Sequence, residues 1–433
     1  MRAANWRGMI AVLLLTAGLG LGYWNSQPAP ACRDWQPEVY IWQRAWTPEV
    51  REAMVTAAPS VGAFAVQLAE IDGSTEPPGV RGAAIDWALL ASLQHPVTLT
   101  IRLASDGPDL TVANPQVALI QQRFADGVED ATAAGVTIAS IQLDYDCPTE
   151  QLTAYTEVLA SLKRKNNPLP LTITALPAWL DSPGMEALAH AVDGYALQVH
   201  SLQRPDPDSS AITVCDPRLA RRWIDQAARL GRPFTVVLPA YGYAVGHDAA
   251  GRVTGLLAEQ AFEGWPAGTV TVDEVTPDPS AMAALVRELR DDPPQSFQGC
   301  VWFRLPVSND RRGWRWCTLA KVMAGTAPSP RFEVALTHAP EGAIDCTLRN
   351  VGDADGIFTG AVAITSSAAT EDDYPWHDAL NRGAMLVSAA NWVEWRPGNP
   401  EGLRLRPGDE CALGWVRWEH PGEVRAHVVA PPE

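Results

Sequence analysis

Ser140-Ile-Gln-Leu-Asp-Tyr-Asp-Cys-Pro148 is a short apolar run that closes on two acids and a proline. Read as a strand, its side chains alternate, so Gln142, Asp144 and Asp146 share one face while Ile141, Leu143 and Tyr145 take the other. A strand that is apolar on one face and carries an amide and two carboxyls toward its C-terminal end has the form expected of a parallel barrel strand. In such barrels the strand ends at one rim supply the chemistry.

Outward from this strand, residues 38–324 alternate runs rich in Val, Ile and Leu with helical stretches, the pattern of repeated βα units around a parallel sheet. Eight candidate strands follow: Val39–Arg44, Val61–Glu70, Val97–Leu103, Ile138–Asp146, Leu171–Leu176, Gly194–His200, Phe234–Tyr241 and Gly299–Leu305. Helices are predicted at Pro115–Ala134, Glu150–Lys165, Pro183–Ala191, Pro217–Leu230 and Pro279–Arg290, four of them opened by a proline suited to a first turn. The fold class expected is α/β, a (β/α)8 TIM barrel over residues 36–325. A doubly wound sheet is the alternative, but no glycine fingerprint follows the first strand.

Past the linker Gly325-Thr-Ala-Pro-Ser-Pro330 the texture changes to short strands separated by turn signals such as Asn350-Val-Gly352. Residues 331–433 are therefore expected to form a small C-terminal β-sandwich of immunoglobulin-like kind. Its Trp376, Trp392, Trp395, Trp415 and Trp418 either fill the sandwich or offer a docking platform. Asp353 and Asp355 read as a turn before they read as calcium ligands.

Residues 1–31 hold Arg2, Arg7 and the uncharged run Met9–Tyr23, too short to span a bilayer and suited to a secretory signal. Ala29-Pro-Ala31 offers a cleavage site. The expected location is outside the cytoplasm: periplasmic, extracellular, or tethered to a membrane if the leader is kept or Cys32 lipidated. Among the seven cysteines there is no CxxC pair and no histidine at ligand spacing, so no metal site is expected and no cofactor is implied. Disulfides suit an exported chain, with Cys346 and Cys411 the natural pair, and buried free thiols are the alternative.

The chain has 433 residues, 33 Lys+Arg and 50 Asp+Glu, for a net charge of −17. Binding nucleic acid needs a basic face that displaces counterions, so a polyanion is not expected as partner. With 17 Trp against 8 Tyr and 8 Phe, the excess points either to bulky core or to ring platforms.

The other strand ends converge on the rim of Asp144 and Asp146. Trp42 and Arg44 close the first strand, Glu70 the second, and Arg102 lies near the end of the third. Trp179 follows the fifth, Gln198 and His200 close the sixth, Tyr241 and Tyr243 follow the seventh, and Trp302 with Arg304 ends the eighth. Rings, amides and acids around a cleft suit a sugar. Residues two apart on a strand are roughly 6.5–7 Å apart at Cα, close enough for the two acids to split their pKa values as glycoside cleavage requires. The competing reading is an acid pair that braces the barrel mouth through an arginine or backbone amides.

Asp144-Tyr-Asp-Cys-Pro148 resembles the end of the Asp-x-x-Asp-x-Asp-x-Glu strand of family 18 glycoside hydrolases, the chitinase-type barrels. Leu238-Pro-Ala-Tyr-Gly242 is similar to that family's Pro-x-Tyr-Gly, and Gly299-Cys-Val-Trp302 to its Gly-x-x-Trp. More closely, Tyr40-Ile-Trp-Gln-Arg44, Gln142–Pro148 and Gln198-Val-His200 resemble a bacterial family of exported proteins known as domain of unknown function 3142. The resemblance implies a retaining, chitinase-like hydrolase in which Asp146 takes the place of the acid, one methylene shorter than the usual Glu. It further implies that Asp144 orients the substrate's acetamido group, Tyr241 helps hold it, and Trp302 lies under the sugar. The earlier aspartates of the pattern fall on Gln142 and Ala139.

Two functions follow: a barrel that binds and hydrolyses a cell-wall or extracellular polysaccharide with Asp144 and Asp146 as catalytic residues, or a carbohydrate-binding or envelope-assembly protein that uses the same cleft without turnover. The substrate-binding set expected is Trp42, Arg44, Glu70, Gln142, Trp179, Gln198, His200, Tyr241, Trp302 and Arg304. A metal-dependent deacetylase is disfavoured because the histidines are scattered and no His-x-x-x-His cluster is present.

Overall fold

The computed structural model describes residues 29–75, 77–104, 110–165, 169–203, 212–258, 264–367, 374–380, 383–398, 402–420 and 422–429. The leader, apart from residues 29–31, lies outside the described residues. Among the described residues no helix is long and apolar enough to cross a membrane.

Eight strands form the barrel: β1 (Glu38–Ile41), β2 (Ala63–Asp72), β4 (Val97–Leu103), β5 (Ile138–Tyr145), β6 (Leu171–Ala175), β7 (Gly194–Gln198), β8 (Phe234–Pro239) and β12 (Phe297–Phe303). Every neighbouring pair is parallel, and β1 pairs with both β12 and β2, which closes the sheet into a TIM barrel. An antiparallel strand, β3 (Gly79–Gly82), hangs on β2, with Glu70 opposite Arg81. Helices α1 (Pro48–Ala57), α2 (Trp87–Leu93), α3 (Pro115–Ala133), α4 (Leu152–Lys165), α5 (Gly184–Ala191) and α6 (Pro217–Ala228) alternate with the strands. Side-chain caps begin three of them: Asp86 accepts from Leu89 N, Asn114 from Gln116 N, and Asp216 from Arg218 N and Leu219 N. Proline follows the cap directly in α1, α3 and α6, where its missing N–H costs nothing.

Alternation divides each barrel strand into two faces. Val39, Ile41, Leu99, Ile101, Leu143 and Ile173 are buried on the outer face. Tyr40, Ala65, Ala196, Val237 and Val301 cluster inside, with Trp42 and Phe303 packed on them. The interior is also markedly polar: Gln67, Thr100, Gln142, Asp144 and Thr174 are all buried. Thr100 bonds to Gln142 and Thr174 to Asp144, as buried polar groups require. Tyr40 Oη donates to Gln142 Oε1 at 2.6 Å, Thr100 Oγ1 reaches the same oxygen at 3.3 Å, and Thr98 and Ser140 share a bond of 2.9 Å.

Contacts group the described residues up to Tyr241 with those of 288–305 as one compact unit, and the described residues of 242–287 with those of 306–433 as a second. The second unit contains a three-stranded antiparallel sheet of β9 (Tyr243–His247), β10 (Val253–Leu257) and β11 (Thr271–Val275). A two-stranded antiparallel pair, β15 (Gly356–Phe358) with β20 (Leu403–Leu405), and two four-stranded antiparallel sheets follow. One holds β13 (Phe332–His338), β14 (Ile344–Asn350), β21 (Glu410–Arg417) and β17 (Trp376–Ala379). The other holds β18 (Gly383–Ala389), β19 (Trp392–Pro397), β16 (Ala361–Ser366) and β22 (Val424–Val429). Ile344, Leu348 and Val416 of the first meet Val362, Ile364, Val393 and Trp395 of the second in one core, as in a sandwich.

The disulfide expectation fails. No two of the seven cysteines lie at disulfide distance, Cys346 and Cys411 included. Both lie on paired strands, but the register sets Cys346 opposite Gly414 and Cys411 opposite Leu348, so the sulfurs do not face each other. The sandwich tryptophans divide as well. Trp395 and Trp418 are buried, with Trp418 Nε1 donating to Ala390 O at 2.8 Å. Trp376 is exposed and carries the Arg417 guanidinium over its ring.

Candidate active site at the barrel mouth

Asp144 stands at the C-terminal end of β5, pointing inward, buried and held by three donors. Arg102 Nη1, on the neighbouring β4, lies 2.9 Å from Oδ2, Thr174 Oγ1 of β6 donates to Oδ1 at 2.7 Å, and Gln198 Nε2 of β7 reaches Oδ1 at 3.3 Å. Four adjacent strands thus converge on one carboxylate, because parallel register places Arg102 directly beside Asp144.

Asp146 lies one alternation further out, with its side chain 37% exposed. Its Oδ2 is 3.6 Å from Arg102 Nη2. Burial raises its pKa above the ordinary carboxylate value, the charge of Asp144 raises it further, and Arg102 opposes both. The pair therefore consists of a buried acid supplied with three donors and a more accessible one whose pKa is raised.

An aromatic group adjoins the acids. His200 lies flat on Phe303, at 5.6 Å and 18° between planes, and its Nδ1 is 3.1 Å from Tyr241 Oη. Burial pulls the His200 pKa down to about 4, so the ring is neutral at physiological pH. Tyr241 and Trp42 meet Phe303 edge-on, and Tyr40 packs on Trp42. Trp42 remains partly open to solvent.

The residues expected at the rim are thus treated differently by the fold. Gln142, Gln198, His200 and Tyr241 point inward with Asp144. Glu70 shares the inward phase of Arg102 and pairs with Arg81 at 2.9 Å. Arg44 is exposed just past β1, and Arg304, past β12, is partly buried. Two tryptophans depart from expectation. Trp302 is fully buried, and it alternates with Val301 and Phe303, the pair that faces the interior. It therefore has no face to lend a ligand, and Phe303 occupies the inward position. Trp179 is also fully buried; its Nε1 donates to Cys147 O at 3.0 Å and its ring packs on Tyr155. It braces the segment that carries Asp146. Thr174 and Phe303 are not among the residues expected from the sequence. Thr174 has the inward phase of β6 and could have been found by alternation, whereas Phe303 is hidden by a bulge.

Among the described residues, no group of three His, Cys, Asp or Glu is gathered closely enough to hold a metal ion.

Residues 94–308 match the family model described as "Domain of unknown function (DUF3142)". No curated protein matches the chain. Among solved structures, the chain is similar to chitinase ChiA74 from Bacillus thuringiensis, at 10% identity and a TM-score of 0.43, over 91% of this chain and 100% of that one. It is similar to the C-terminal domain of a putative chitinase from Desulfitobacterium hafniense DCB-2, at 12% identity and 0.47, over 67% and 99%. The Bacillus cereus spore cortex-lytic enzyme SleL matches at 13% identity and 0.45, over 67% and 74%.

Proposed function

We propose that this protein, whose residues 94–308 match the DUF3142 family model, is an exported barrel that binds a cell-wall or extracellular polysaccharide at its mouth and cleaves it, with Asp146 as general acid. The observation that carries this is the geometry of the two acids: an accessible Asp146 whose pKa is raised, beside a buried Asp144 held by Arg102, Thr174 and Gln198. Proton transfer from Asp146 to the glycosidic oxygen uses the first property. Orientation of an acetamido group by Asp144 and Tyr241, as the family 18 resemblance implies, uses the second. Trp42 and Phe303 supply ring faces against which a pyranose packs. The leader is read as the export signal, and as a membrane tether where it is retained.

Purified protein screened against amino-sugar and neutral glycans tests this. Cleavage of at least one glycan is expected, with a loss of about 10²- to 10⁴-fold in Asp146→Asn while binding survives. Undiminished cleavage in Asp146→Asn defeats the assignment. A second reading, binding without turnover, is favoured by the Arg102 guanidinium 3.6 Å from Asp146, which draws the carboxyl toward its charged form. Its signature is a glycan that binds, is never cut, and binds Asp146→Asn equally well.

A further inference from the structure

At the other end of the barrel, among the strand N-termini, lies a cavity of about 530 Å³. It has room for a hexose-sized molecule. Hydroxyl and amide groups of Tyr40, Thr98, Ser140, Gln142, Thr172 and Thr235 line it. Every charged residue in its lining is acidic: Asp34, Glu38 and Asp193. Asp34 is exposed, and Asp193 is already bound by Lys163 Nζ at 2.7 Å and by Leu171 N at 2.9 Å.

Glu38 differs from both. It begins β1 on the inward phase, since Val39 and Ile41 face outward, and its side chain lines the cavity. Among the described residues no hydrogen bond or ion pair reaches its carboxyl. A recessed carboxyl without a donor or cation is costly in a folded protein, and a cationic ligand would remove that cost.

We propose that this cavity is a second binding site, distinct from the mouth of Asp144 and Asp146, for a small hydroxylated organic ammonium ion. Glu38 pairs with the ammonium group, while Thr98, Ser140, Thr172 and Gln142 meet the ligand's hydroxyls. This reading does not depend on the reaction proposed at the mouth. Burial pushes the Glu38 carboxyl up to about 7, so the free site is about half charged at neutral pH. The other titratable or charged groups around the cavity are Cys32, Asp34, Tyr40, Asp193 and Tyr195 in the lining, Lys163 on Asp193, and Arg290 over the Trp35 ring. Of these, Glu38 is the carboxyl that the ammonium would hold ionised.

Glucamine, a six-carbon amino-alditol, and sorbitol, its neutral analogue with a hydroxyl in place of the amine, serve as probes in calorimetric titration of the full chain. Glucamine should bind one-to-one, at least tenfold more tightly than sorbitol at pH 8. Its affinity should fall about tenfold at pH 6, where a carboxyl of pKa near 7 is about nine-tenths protonated. Glu38→Gln should reduce glucamine to the level of sorbitol, and Asp146→Asn should leave it unchanged. Equal binding of the two probes, a flat pH response, unaltered binding by Glu38→Gln or no binding of glucamine would each overturn the proposal. The pH comparison uses the unmutated protein, so it stands even if Glu38→Gln fails to fold.

Discussion

Arg102 decides the character of both acids at the mouth, because its two terminal nitrogens address Asp144 and Asp146 separately. Its removal has two consequences with different readouts. Asp144, only 5% exposed at the side chain, loses its ion-pair partner, and breaking a buried pair from one side typically costs about 3–5 kcal/mol. Arg102→Gln should therefore lower unfolding free energy by roughly that amount. Asp146 loses the one influence that lowers its pKa, so its carboxyl should titrate at higher pH in Arg102→Gln. In Asp144→Asn the opposite shift is expected, since the charge that raises it is gone. Carbonyl-carbon NMR titration of Asp146 in the two variants reads both directions without any substrate. Shifts of the same sign in both would contradict this picture of the pair.

At the scale of the strand, β12 shows how one residue changes what a whole element presents. The pairing with β8 slips between Phe297 and Gly299, and Gly299 sits at φ 142° with Trp35 close against the position a Cβ would take. This bulge sets the phase after which Val301 and Phe303 face inward and Trp302 outward. Gly299→Ala forces an L-residue into a region it rarely adopts, so a loss of about 1–3 kcal/mol is expected in denaturant titration. An alanine variant as stable as the parent would show that the bulge makes no such demand on residue 299. The same element marks the limit of what the sequence discloses. Eight barrel strands were legible because buried parallel strands are apolar runs, and helix starts were legible from Pro115 and Pro217 with their caps. Asp144, Asp146, Gln198 and His200 were placed by alternation alone. The phase error at Trp302 arose because a bulge leaves no periodic trace. Trp179 was misjudged because its N–H partner is a backbone carbonyl, Cys147 O, which no side-chain pattern announces. Strand β11 left no such signal for a third reason: Thr271, Val272, Asp273 and Glu274 are all exposed, so no buried face imprints a pattern.

Across the whole molecule, the question is what holds 433 residues together without a cross-link. Disulfides matter most where a chain is too short to bury an adequate core, and each compact unit here is long enough to bury one. The thiols behave accordingly as small apolar residues. Cys147, Cys215, Cys300 and Cys346 are buried, and burial pushes the Cys215 and Cys346 thiols up to about 12 and raises Cys300 as well. A thiol so placed is neither accessible nor ionised, and the thiolate is the reactive form. Cys317 is exposed, and Cys32 and Cys411 are partly so. Thiol labelling should accordingly show three fast groups in the native protein and all seven in denaturant. Dithiothreitol should leave the melting temperature unchanged, because there is no covalent loop for it to open. A melting temperature that falls on reduction, or fewer than seven groups in denaturant, would mean that sulfurs separated in this fold do become joined. To set Cys411 opposite Cys346 instead of Leu348, β21 would then have to slip by two residues, which keeps its faces but takes Val416 away from Ile344.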